Sequence, residues 1–446
     1  MDIAAALIFI FCSLLFSVYR GINIVYPLFI GLLLLMLVSV KRGFKPGDVL
    51  NMALKGGKKS LLIIRIFVLI GAITAVWRAS GTIAFIVYHG IELMSPKFFI
   101  VYAFILSCIV SFLLGTAFGT ASTIGIVMMI LAKSGNVDIN LTAGAIIAGA
   151  YFGDRGSPMS SSAVLTASVT DTDLYTNIKN MLRTAIVPLA ISIAIYTVFS
   201  IYNPLVFSDN NMLATISEAF NIHLAAILPA AAILILAAFR IDVKISMLVS
   251  IVLGMLLAYL LQGYSMLDIV KYALLGFNLE NGGAFNDIIK GGGIMSMVKI
   301  SLIVMISSAY SGIFEGTQML KEIQKLLEFI ANKYGLFVSM ILSSLITASL
   351  GCTQALAILL TNQLIKDTYK KHNKDKYELA IDLENSAVVI SPLIPWNIGG
   401  AVPAAMLTAT VGFIPYAFYL YIIPLYTLIV KTIKRNQASK KGQVPC

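Results

Sequence analysis

Residues Gly149–Ser162 read GAYFGDRGSPMSSS and interrupt an apolar run that extends over about residues 141–168. Pro158 carries no amide hydrogen and frees an upstream backbone carbonyl, so it does not fit inside a regular helix. A charged group at membrane depth is costly and marks a functional site by default. The stretch therefore predicts a broken membrane helix with Asp154 as an ion-coupling carboxylate. It leaves open a structural ion pair between Asp154 and Arg155, or a turn at the membrane edge.

The rest of the chain has the composition of a membrane protein. Of its 446 residues, 59% are hydrophobic and 12% are charged, and the mean hydropathy is +0.91. A soluble domain carries about 25% charged residues, so a soluble enzyme and a disordered chain are excluded. Most of the long apolar runs approach the ~20 residues that a helix needs to cross the hydrocarbon core. Because a backbone in lipid must satisfy its own hydrogen bonds, we expect an all-α polytopic membrane protein with about 11–14 membrane segments.

The distribution of charge predicts how the chain lies in the membrane. The net charge is +11, from 32 basic and 21 acidic residues, and half of the basic residues fall in three short stretches. Short basic loops beside spans follow the positive-inside pattern. We therefore expect a plasma-membrane protein with both termini in the cytoplasm, with the lipid bilayer and not nucleic acid as its partner; homo-oligomerisation stays open. The three stretches contain Lys41, Arg42, Lys45, Lys55, Lys58 and Lys59; Lys366, Lys370, Lys371, Lys374 and Lys376; and Lys431, Lys434, Arg435, Lys440 and Lys441.

Two halves of the chain repeat short motifs in the same order. The matching pairs, which are 232 to 235 residues apart, are Gly81-Thr82 with Gly316-Thr317, Gly119 with Gly351, and Ser157-Pro158 with Ser391-Pro392. Nearly equal spacings indicate an internal repeat, and an odd number of crossings in each half inverts one repeat relative to the other. Inverted repeats with interrupted helices characterise secondary transporters. The predicted units are a first repeat over 1–202, an external linker over 203–221, a second repeat over 222–431 and a basic cytoplasmic tail over 432–446.

Two further stretches combine polar residues with apolar surroundings. GTAFGTAST at Gly115–Thr123 lies between two apolar arms, and ENSAVVISPLIPWN at Glu384–Asn397 contains two prolines. Breaks of this kind expose carbonyls and hydroxyls to an ion, although small residues also serve helix packing and Glu384 could be a carboxylate favoured at a helix start. We predict Asp154 and Glu384 as ion-coupling residues. The predicted ion- or substrate-binding residues are Thr120, Ser122, Ser157, Ser161, Thr353, Gln354, Ser391 and Asn397.

The sequence supports transport and not catalysis. GGG at 291–293 lacks the spacing and the lysine of a phosphate loop, and neither HExxH nor GxSxG occurs. We therefore expect no enzyme activity and no cofactor, with Na⁺ or H⁺ as the coupling ion for a small ion or solute. The segments 98–133 and 335–366 form hairpin-like units, each of which fits either two spans or one re-entrant loop.

Several segments together resemble the NhaC family of sodium:proton antiporters, within the wider ion-transporter superfamily. They are WRASGT, GTAFGTASTIGI, GAIIAGAYFGDRGSPMSSS, TDLYTNIKNMLRT and ENSAVVISPLIPWN, and the resemblance covers about residues 60–430. It implies a secondary active transporter that exchanges cations by alternating access. The family is similar to sodium:proton exchangers, malate–lactate exchangers and amino-acid carriers, so the resemblance does not fix the transported solute.

The chain departs from the family pattern at three acidic positions. Ser161, Thr353 and Asn385 stand where the family usually has aspartate, whereas Asp154 and Glu384 remain. Sodium:proton exchange requires carboxylates that bind a proton and sodium in turn. The resemblance therefore favours cation exchange, and the missing acids favour a Na⁺- or H⁺-coupled carrier for an amino acid or a small organic acid. Both hypotheses stay open on the sequence.

Overall fold

The described part of the chain is helical. The computed structural model describes residues 3–20, 22–206, 212–239, 241–279, 289–317, 321–351 and 353–440. Within these ranges there is no β-strand, and one isolated bridge pairs Phe277 with Gly291. The predicted all-α class is therefore confirmed for the described residues.

The first half contains long helices separated by short breaks. A π-helical turn at Ala121–Gly125 joins α7 to α8, so that Ala117–Ser134 is one continuous helical segment. The helices are α1 (Ile3–Tyr19), α2 (Val25–Lys41), α3 (Pro46–Lys59), α4 (Leu61–Ala79), α5 (Thr82–Leu93), α6 (Phe99–Leu114), α7 (Ala117–Thr120), α8 (Ile126–Ser134), α9 (Ile139–Gly156), α10 (Ser161–Thr170) and α11 (Leu174–Tyr202), with a 3₁₀ turn at Pro96–Phe98.

The second half has the same character. A π-helical turn at Glu384–Val388 follows α20 directly. The helices are α12 (Met212–Ala219), α13 (Leu228–Ala238), α14 (Val243–Leu260), α15 (Met266–Leu275), α16 (Val298–Thr317), α17 (Lys321–Tyr334), α18 (Leu336–Gly351), α19 (Gln354–Lys371), α20 (Lys376–Leu383), α21 (Ile398–Met406) and α22 (Phe418–Lys440), with 3₁₀ turns at Leu224–Ile227, Ile294–Met297, Ser391–Leu393 and Val411–Tyr416.

The break predicted around Pro158 is present. α9 ends at Gly156 and α10 begins at Ser161. The hydroxyl oxygen of Ser160 accepts hydrogen bonds from the first amides of α10, at 3.1 and 3.3 Å. Such a cap pairs amides that the start of a helix otherwise leaves without partners. The backbone can therefore be interrupted here, inside the protein, without leaving these groups unpaired.

Two other bends interrupt apolar segments, one in each half. The segment that contains α20 and Ser391–Leu393 turns by 53° into α21. The axes of α4 and α5 meet at 66°, where Gly81 has a φ of +74°. Glycine adopts this left-handed conformation without the steric cost that a Cβ would bring. The bend before α21 confirms the interruption predicted in Glu384–Asn397, and the bend at Gly81 was not predicted.

Close packing of α9 against α6 holds the first break in place. Gly149 and Gly153 lie four residues apart on the face of α9 that meets α6. A Cβ at Gly153 would overlap the backbone of Ser111 and Phe112, and a Cβ at Gly149 would also meet the α6 backbone. Small residues at this spacing let two helix backbones approach closely. This approach fixes the position of Asp154, which follows Gly153.

The two halves share an order of elements and pack reciprocally. A long helix, a short helix, a hairpin-like pair, a broken helix and a final long helix follow one another in α4–α11 and again in α16–α22. Between the halves, α4 packs against α14 and α15, and α16 packs against α2 and α3. This arrangement agrees with an internal repeat.

Several described helices can cross a membrane. Among the described residues, the single segments that are long and apolar enough to cross a membrane are Pro96–Leu114, Ala117–Ser134, Leu174–Tyr202 and Ile294–Phe314. Each of the two bent pairs, α4–α5 and α20–α21, is also long and apolar enough to cross a membrane when its two helices are taken together. The described residues contain five further apolar helices that are shorter than this. The chain is therefore an all-α polytopic membrane protein. The number of spans, and the choice between spanning and re-entrant hairpin units, stay predictions.

The predicted unit boundaries stay predictions, and the structure shows which helices fall at them. The proposed linker over 203–221 contains a helix, α12, and the last helix continues through Lys440, past the proposed start of the tail at 432. Residues 432–440 contain no proline or glycine to stop that helix. Residues 207–211, 280–288 and 441–446 lie outside the described ranges, and they include part of the predicted external linker and of the tail.

Replacing Gly153 with alanine should destabilise the protein. The new methyl group would overlap the α6 backbone, which cannot move aside as a flexible side chain can. Overpacking of this kind costs about 1–3 kcal/mol, so the melting midpoint of the purified protein in detergent should fall.

Gly156→Ala is the matched control, because a Cβ at Gly156 would only touch Leu182 Cδ2 at 3.8 Å. Its melting midpoint should equal that of the parent protein. Equal midpoints for the Gly153 and Gly156 variants would contradict the close contact between α6 and α9.

Candidate ion-binding site

Asp154 lies in the last turn of α9, where the two halves of the chain meet. Its side chain is 4% exposed, and its Oδ2 accepts a hydrogen bond of 2.7 Å from Nε2 of Gln354. Gln354 is the first residue of α19, in the second half of the chain. A buried charge is costly unless it is hydrogen-bonded and paired. The bond therefore lowers the cost of burying Asp154 and joins the halves at this carboxylate.

Further donors to Asp154 come from the two breaks in the first half. The hydroxyl of Ser162 donates to the Asp154 backbone carbonyl at 2.7 Å and lies 3.3 Å from Oδ2, and the Ser160 hydroxyl donates to the same carbonyl. The backbone amide of Ala117 lies close enough to the carboxylate to act on it. Ala117 begins the continuous helical segment Ala117–Ser134, and the start of a helix carries a partial positive charge. Neutral donors and a helix end thus surround Asp154.

Glu384 is a second buried carboxylate in the same region. It is fully buried, and neither of its carboxylate oxygens makes a hydrogen bond within the described part of the chain. Thr166 lies beside it, but the two side chains do not reach hydrogen-bond geometry. The charges of Asp154 and Arg155 are close enough to act on Glu384. A carboxylate in this position needs a proton or a cation to offset its burial.

The structure excludes the helix-start interpretation of Glu384. The residue follows α20 directly and lies at the beginning of a π-helical turn, inside a helix that continues from Lys376. Its carboxylate is therefore a full two turns from the helix start, where the macrodipole has little effect.

Arg155 is almost fully buried, and only neutral groups bond to it. The guanidinium donates to Oδ1 of Asn385 at 2.6 and 3.0 Å and to the Thr184 hydroxyl at 2.7 Å. It also donates to the Met181 carbonyl at 3.1 Å and to the Tyr419 hydroxyl at 3.4 Å. Because guanidinium groups stay protonated in proteins, the site holds two carboxylates and one permanent positive charge.

The alternative of a structural ion pair between Asp154 and Arg155 is wrong. Within the described ranges, Arg155 makes no salt bridge, and its hydrogen bonds go to α11, α22 and the π-helical turn after α20. Neighbouring residues on a helix do not face each other, so Asp154 points to α19 while Arg155 points elsewhere.

The other predicted residues of the first half shape the breaks and do not contact the Asp154 carboxylate. The hydroxyls of Thr120 and Ser122 donate to carbonyls of their own helical segment, at 2.9 and 3.1 Å. The Ser157 hydroxyl donates at 2.6 Å to the carbonyl of Phe112 on α6. Ser161 is exposed, and the hydroxyls on either side of it, those of Ser160 and Ser162, face Asp154.

In the second half, Gln354 is the predicted residue that contacts Asp154. Thr353 accepts a hydrogen bond from an amide of the first turn of α19 at 3.3 Å. The Ser391 hydroxyl donates at 2.6 Å to a carbonyl one turn earlier. Asn397 caps α21, and its side-chain amide donates at 2.8 Å to the carbonyl of Ala348 on α18. The hydrogen bonds of these three residues stabilise the backbone around the interrupted helices of the second half.

A crevice of about 290 Å³ adjoins the first break. Thr116, Phe118, Met159 and Ser161 line it, whereas the residues between and beside them in the chain face Asp154. The rim of the crevice carries Asp242 and Lys244, at the start of α14. The crevice therefore borders the same two chain segments that supply groups to Asp154.

Some residues of the site were missed in the sequence. The run of three serines at 160–162 indicated a hydroxyl at the break. Choosing Ser160 and Ser162 over Ser161 requires knowing at which residue α10 begins. Thr166 and Thr184 lie in ordinary apolar helices, and nothing in the sequence marks them. Asn385 was noted only as a departure from the family pattern, and the structure places it against Arg155.

The model of the Na⁺/H⁺ antiporter family matches residues 2–170 and 149–432, which include both breaks and both buried carboxylates. The chain belongs to this family. The chain is therefore a secondary active transporter of the Na⁺/H⁺ antiporter family and a multi-pass membrane protein, and relatives named NhaC confirm the resemblance to the NhaC antiporters.

Relatives named Na⁺/H⁺ antiporter NhaC share most of their length with the chain. Those of Alkalihalophilus pseudofirmus and Bacillus subtilis are each 28% identical to it; they cover 89% and 92% of this chain and 88% and 92% of their own lengths. A relative named malate-2H⁺/Na⁺-lactate antiporter, from Bacillus subtilis, is 27% identical over 93% of this chain and 90% of its own length. The relatives are named as transporters, not enzymes.

Gln354→Ala should weaken cation binding. The change removes the side-chain amide whose Nε2 lies 2.7 Å from Asp154 Oδ2, and with it a carbonyl oxygen that can turn to a bound cation. The interaction of a polar group with a charge is worth about 1.5–3 kcal/mol, so losing this oxygen ligand corresponds to a loss of about tenfold or more in apparent Na⁺ affinity, measured by Na⁺ titration of the purified protein.

Gln363→Ala is the matched control, since Gln363 is an exposed glutamine on the same helix. It should leave the Na⁺ affinity unchanged. The role of Gln354 is refuted if its variant binds Na⁺ as tightly as the Gln363 variant does.

Proposed function

We propose that the protein exchanges Na⁺ for H⁺ across the membrane, with Asp154 as the main coupling carboxylate and Glu384 as the second. The observation that carries this proposal is a pair of buried carboxylates to which no cationic side chain is bonded in the described part of the chain. A buried carboxylate must be protonated or paired with a cation. A proton and Na⁺ therefore compete for the same oxygens, and a site that binds only one of them at a time couples their movements.

The groups around Asp154 suit Na⁺. Hard cations prefer oxygen ligands, and the Asp154 carboxylate, the Ser160 and Ser162 hydroxyls and the Gln354 side chain provide them. A side-chain amide has a carbonyl oxygen as well as the NH₂ group, so rotation of the Gln354 amide would present an oxygen to a bound cation. The amide group would then stabilise the carboxylate when the ion has left.

Arg155 supports a simple charge count at the site. Its fixed positive charge acts on Glu384, so this pair is neutral when Glu384 is ionised. The remaining negative charge of Asp154 is then balanced by one Na⁺ or by one proton. This count favours the exchange of one Na⁺ for one proton.

We also propose that the two halves are inverted repeats that alternate access to the site. The equal motif spacing, the matching element order and the reciprocal packing of α4 and α16 support this proposal. The crevice beside the first break would give one side of the membrane access to Asp154. The basic stretches support a plasma-membrane orientation with both termini in the cytoplasm.

The alternative of an amino-acid or organic-acid carrier is not favoured. It depended on three missing acidic residues, but Glu384 supplies a second buried carboxylate close to Asp154. Two relatives named NhaC cover about nine-tenths of the chain, and the guanidinium of Arg155, which could otherwise bind a carboxylate solute, is already bonded to protein groups.

Asp154→Asn should abolish exchange, because asparagine keeps the size of the side chain but cannot bind a proton or balance Na⁺. Glu384→Gln should reduce exchange strongly, because it leaves the charge of Arg155 uncompensated beside Asp154 and so disfavours a cation there. The measurement is the change in internal pH after a Na⁺ pulse, in liposomes that contain the purified protein and a pH-sensitive dye.

Asp171→Asn is the matched control, since the Asp171 side chain is 96% exposed and its ion pair with Lys376 is a surface contact. It should exchange Na⁺ for H⁺ at the parent rate. Normal exchange by the Asp154 variant would refute the coupling role, and labelled amino-acid or lactate uptake without any Na⁺-evoked pH change would refute Na⁺/H⁺ exchange itself.

The charge count makes a separate prediction. In the same liposomes, a potential-sensitive dye should report no membrane voltage during exchange, because one positive charge moves in each direction. A voltage that depends on the Na⁺ gradient and is absent in the Asp154 variant would contradict one-for-one exchange while leaving exchange itself in place.

A further inference from the structure

Three hydroxyl side chains form a stripe along one face of α10. They belong to Ser162, Thr166 and Thr170, and residues that are four positions apart lie above one another on the same face of a helix. Each of the three is at most 4% exposed, whereas Val164 and Ser168, on the opposite side of the helix, are exposed. The buried face of α10 therefore carries a hydroxyl in each turn.

The stripe begins at Asp154 and passes Glu384. The Ser162 hydroxyl lies 3.3 Å from Asp154 Oδ2. One turn further on, α10 packs against the π-helical turn that begins at Glu384, and Thr166 lies beside that carboxylate. The Thr166 hydroxyl and both carboxylate oxygens of Glu384 make no hydrogen bond within the described part of the chain. Both residues are fully buried, and native proteins rarely leave such atoms without a partner.

The stripe continues to the end of α10. The Thr170 hydroxyl lies 2.8 Å from the hydroxyl of Thr172, which is half-buried and accepts a hydrogen bond of 2.7 Å from the side-chain amide of Asn177. At the same end, Lys366 of the second basic stretch donates to the Val169 carbonyl at 3.4 Å. The basic stretches are expected to face the cytoplasm. The stripe therefore leads from the two buried carboxylates toward the expected cytoplasmic end of the protein.

The second half of the chain lies against the stripe. α10 packs against α19 and α20. Asn362 on α19 is 7% exposed, its Nδ2 donates to the Val169 carbonyl at 3.2 Å, and its Oδ1 makes no hydrogen bond within the described ranges. The stripe thus lies at a boundary between the two halves, which the proposed alternating access would open and close.

We propose that Ser162, Thr166 and Thr170 line the path of the transported cation between Asp154 and the cytoplasm, and that Thr166 and Glu384 bind the cation at an intermediate position. Hard cations prefer oxygen ligands, and the hydroxyls follow one another at about 6 Å along the helix axis, from a rise of 1.5 Å per residue. A cation on this path passes from one set of oxygens to the next without crossing an apolar gap. The path rests on the proposed Na⁺/H⁺ exchange and adds Thr166 to it as a residue that contacts the moving ion.

Thr166→Val tests the path, because valine keeps the shape of threonine and lacks the hydroxyl. In liposomes that contain the purified full-length protein, the Na⁺-evoked change in internal pH should be about tenfold slower or more, since the interaction of a polar group with the ion is lost. In detergent, the melting midpoint should not fall, because the Thr166 hydroxyl makes no hydrogen bond within the described residues. A purely structural threonine would give the reverse, a lower midpoint with normal exchange.

Variants that keep the hydroxyl separate the path from a change in packing. Thr166→Ser keeps the oxygen and should restore exchange. Thr170→Val should also slow exchange, and Thr170→Ser should restore it. Ser168→Ala is the matched control, because Ser168 carries an exposed hydroxyl on the same helix. It should exchange at the parent rate.

The path and the proposed exchange fail in different ways. If the parent protein shows no Na⁺-evoked pH change, Na⁺/H⁺ exchange is overturned, and the path with it. If the parent exchanges, the path alone is overturned when either valine variant exchanges at the parent rate, when the serine variants stay as slow as the valine variants, or when Ser168→Ala is equally slow. Slow exchange by both valine variants, restored by both serine variants, supports the path.

Discussion

The hydrogen bond from Gln354 to Asp154 connects the two halves of the chain at a buried carboxylate. Its partners come from α19 and α9, which are 200 residues apart in the sequence. The position of each partner depends on a helix break: α9 ends just after Asp154, and α19 begins at Gln354. The close contact of α6 with the glycines of α9 then sets the depth and direction of Asp154. Backbone interruptions and small residues thus place a charged group where a continuous apolar helix could not hold it.

The site combines buried charged groups, and the charge of one reduces the free-energy cost of burying another. Arg155 bonds to the neutral Asn385 and acts on Glu384 from nearby, so its positive charge reduces the cost of a second carboxylate without closing it off in a salt bridge. Were aspartate at position 385, the guanidinium would be paired directly and less of its field would act on Glu384. The loss of acidic residues relative to the family pattern is therefore consistent with cation exchange, provided that Glu384 and Arg155 are considered together.

The sequence predicted the fold more fully than the site. Composition and apolar runs predicted an all-α membrane protein, and Pro158 and the Ser391–Asn397 stretch marked the breaks, because proline and glycine act locally. The sequence predicted that Gln354 and Asp154 belong to one site, but it did not predict their contact, since a contact between distant helices depends on packing. Ser161 was selected where Ser160 and Ser162 face Asp154, since a shift of one residue on a helix turns a side chain by about 100°.

Release of protons on Na⁺ binding is the most direct measurement of the central claim, that Na⁺ and H⁺ compete for the same buried carboxylates. Na⁺ is added to the purified protein in weakly buffered detergent solution, and the pH is followed with an indicator dye. The account predicts that Na⁺ releases protons in a saturable way, that the apparent Na⁺ affinity increases with pH, and that choline chloride at equal ionic strength releases none. Saturable Na⁺ binding without proton release, and with an affinity that does not change with pH, would contradict it.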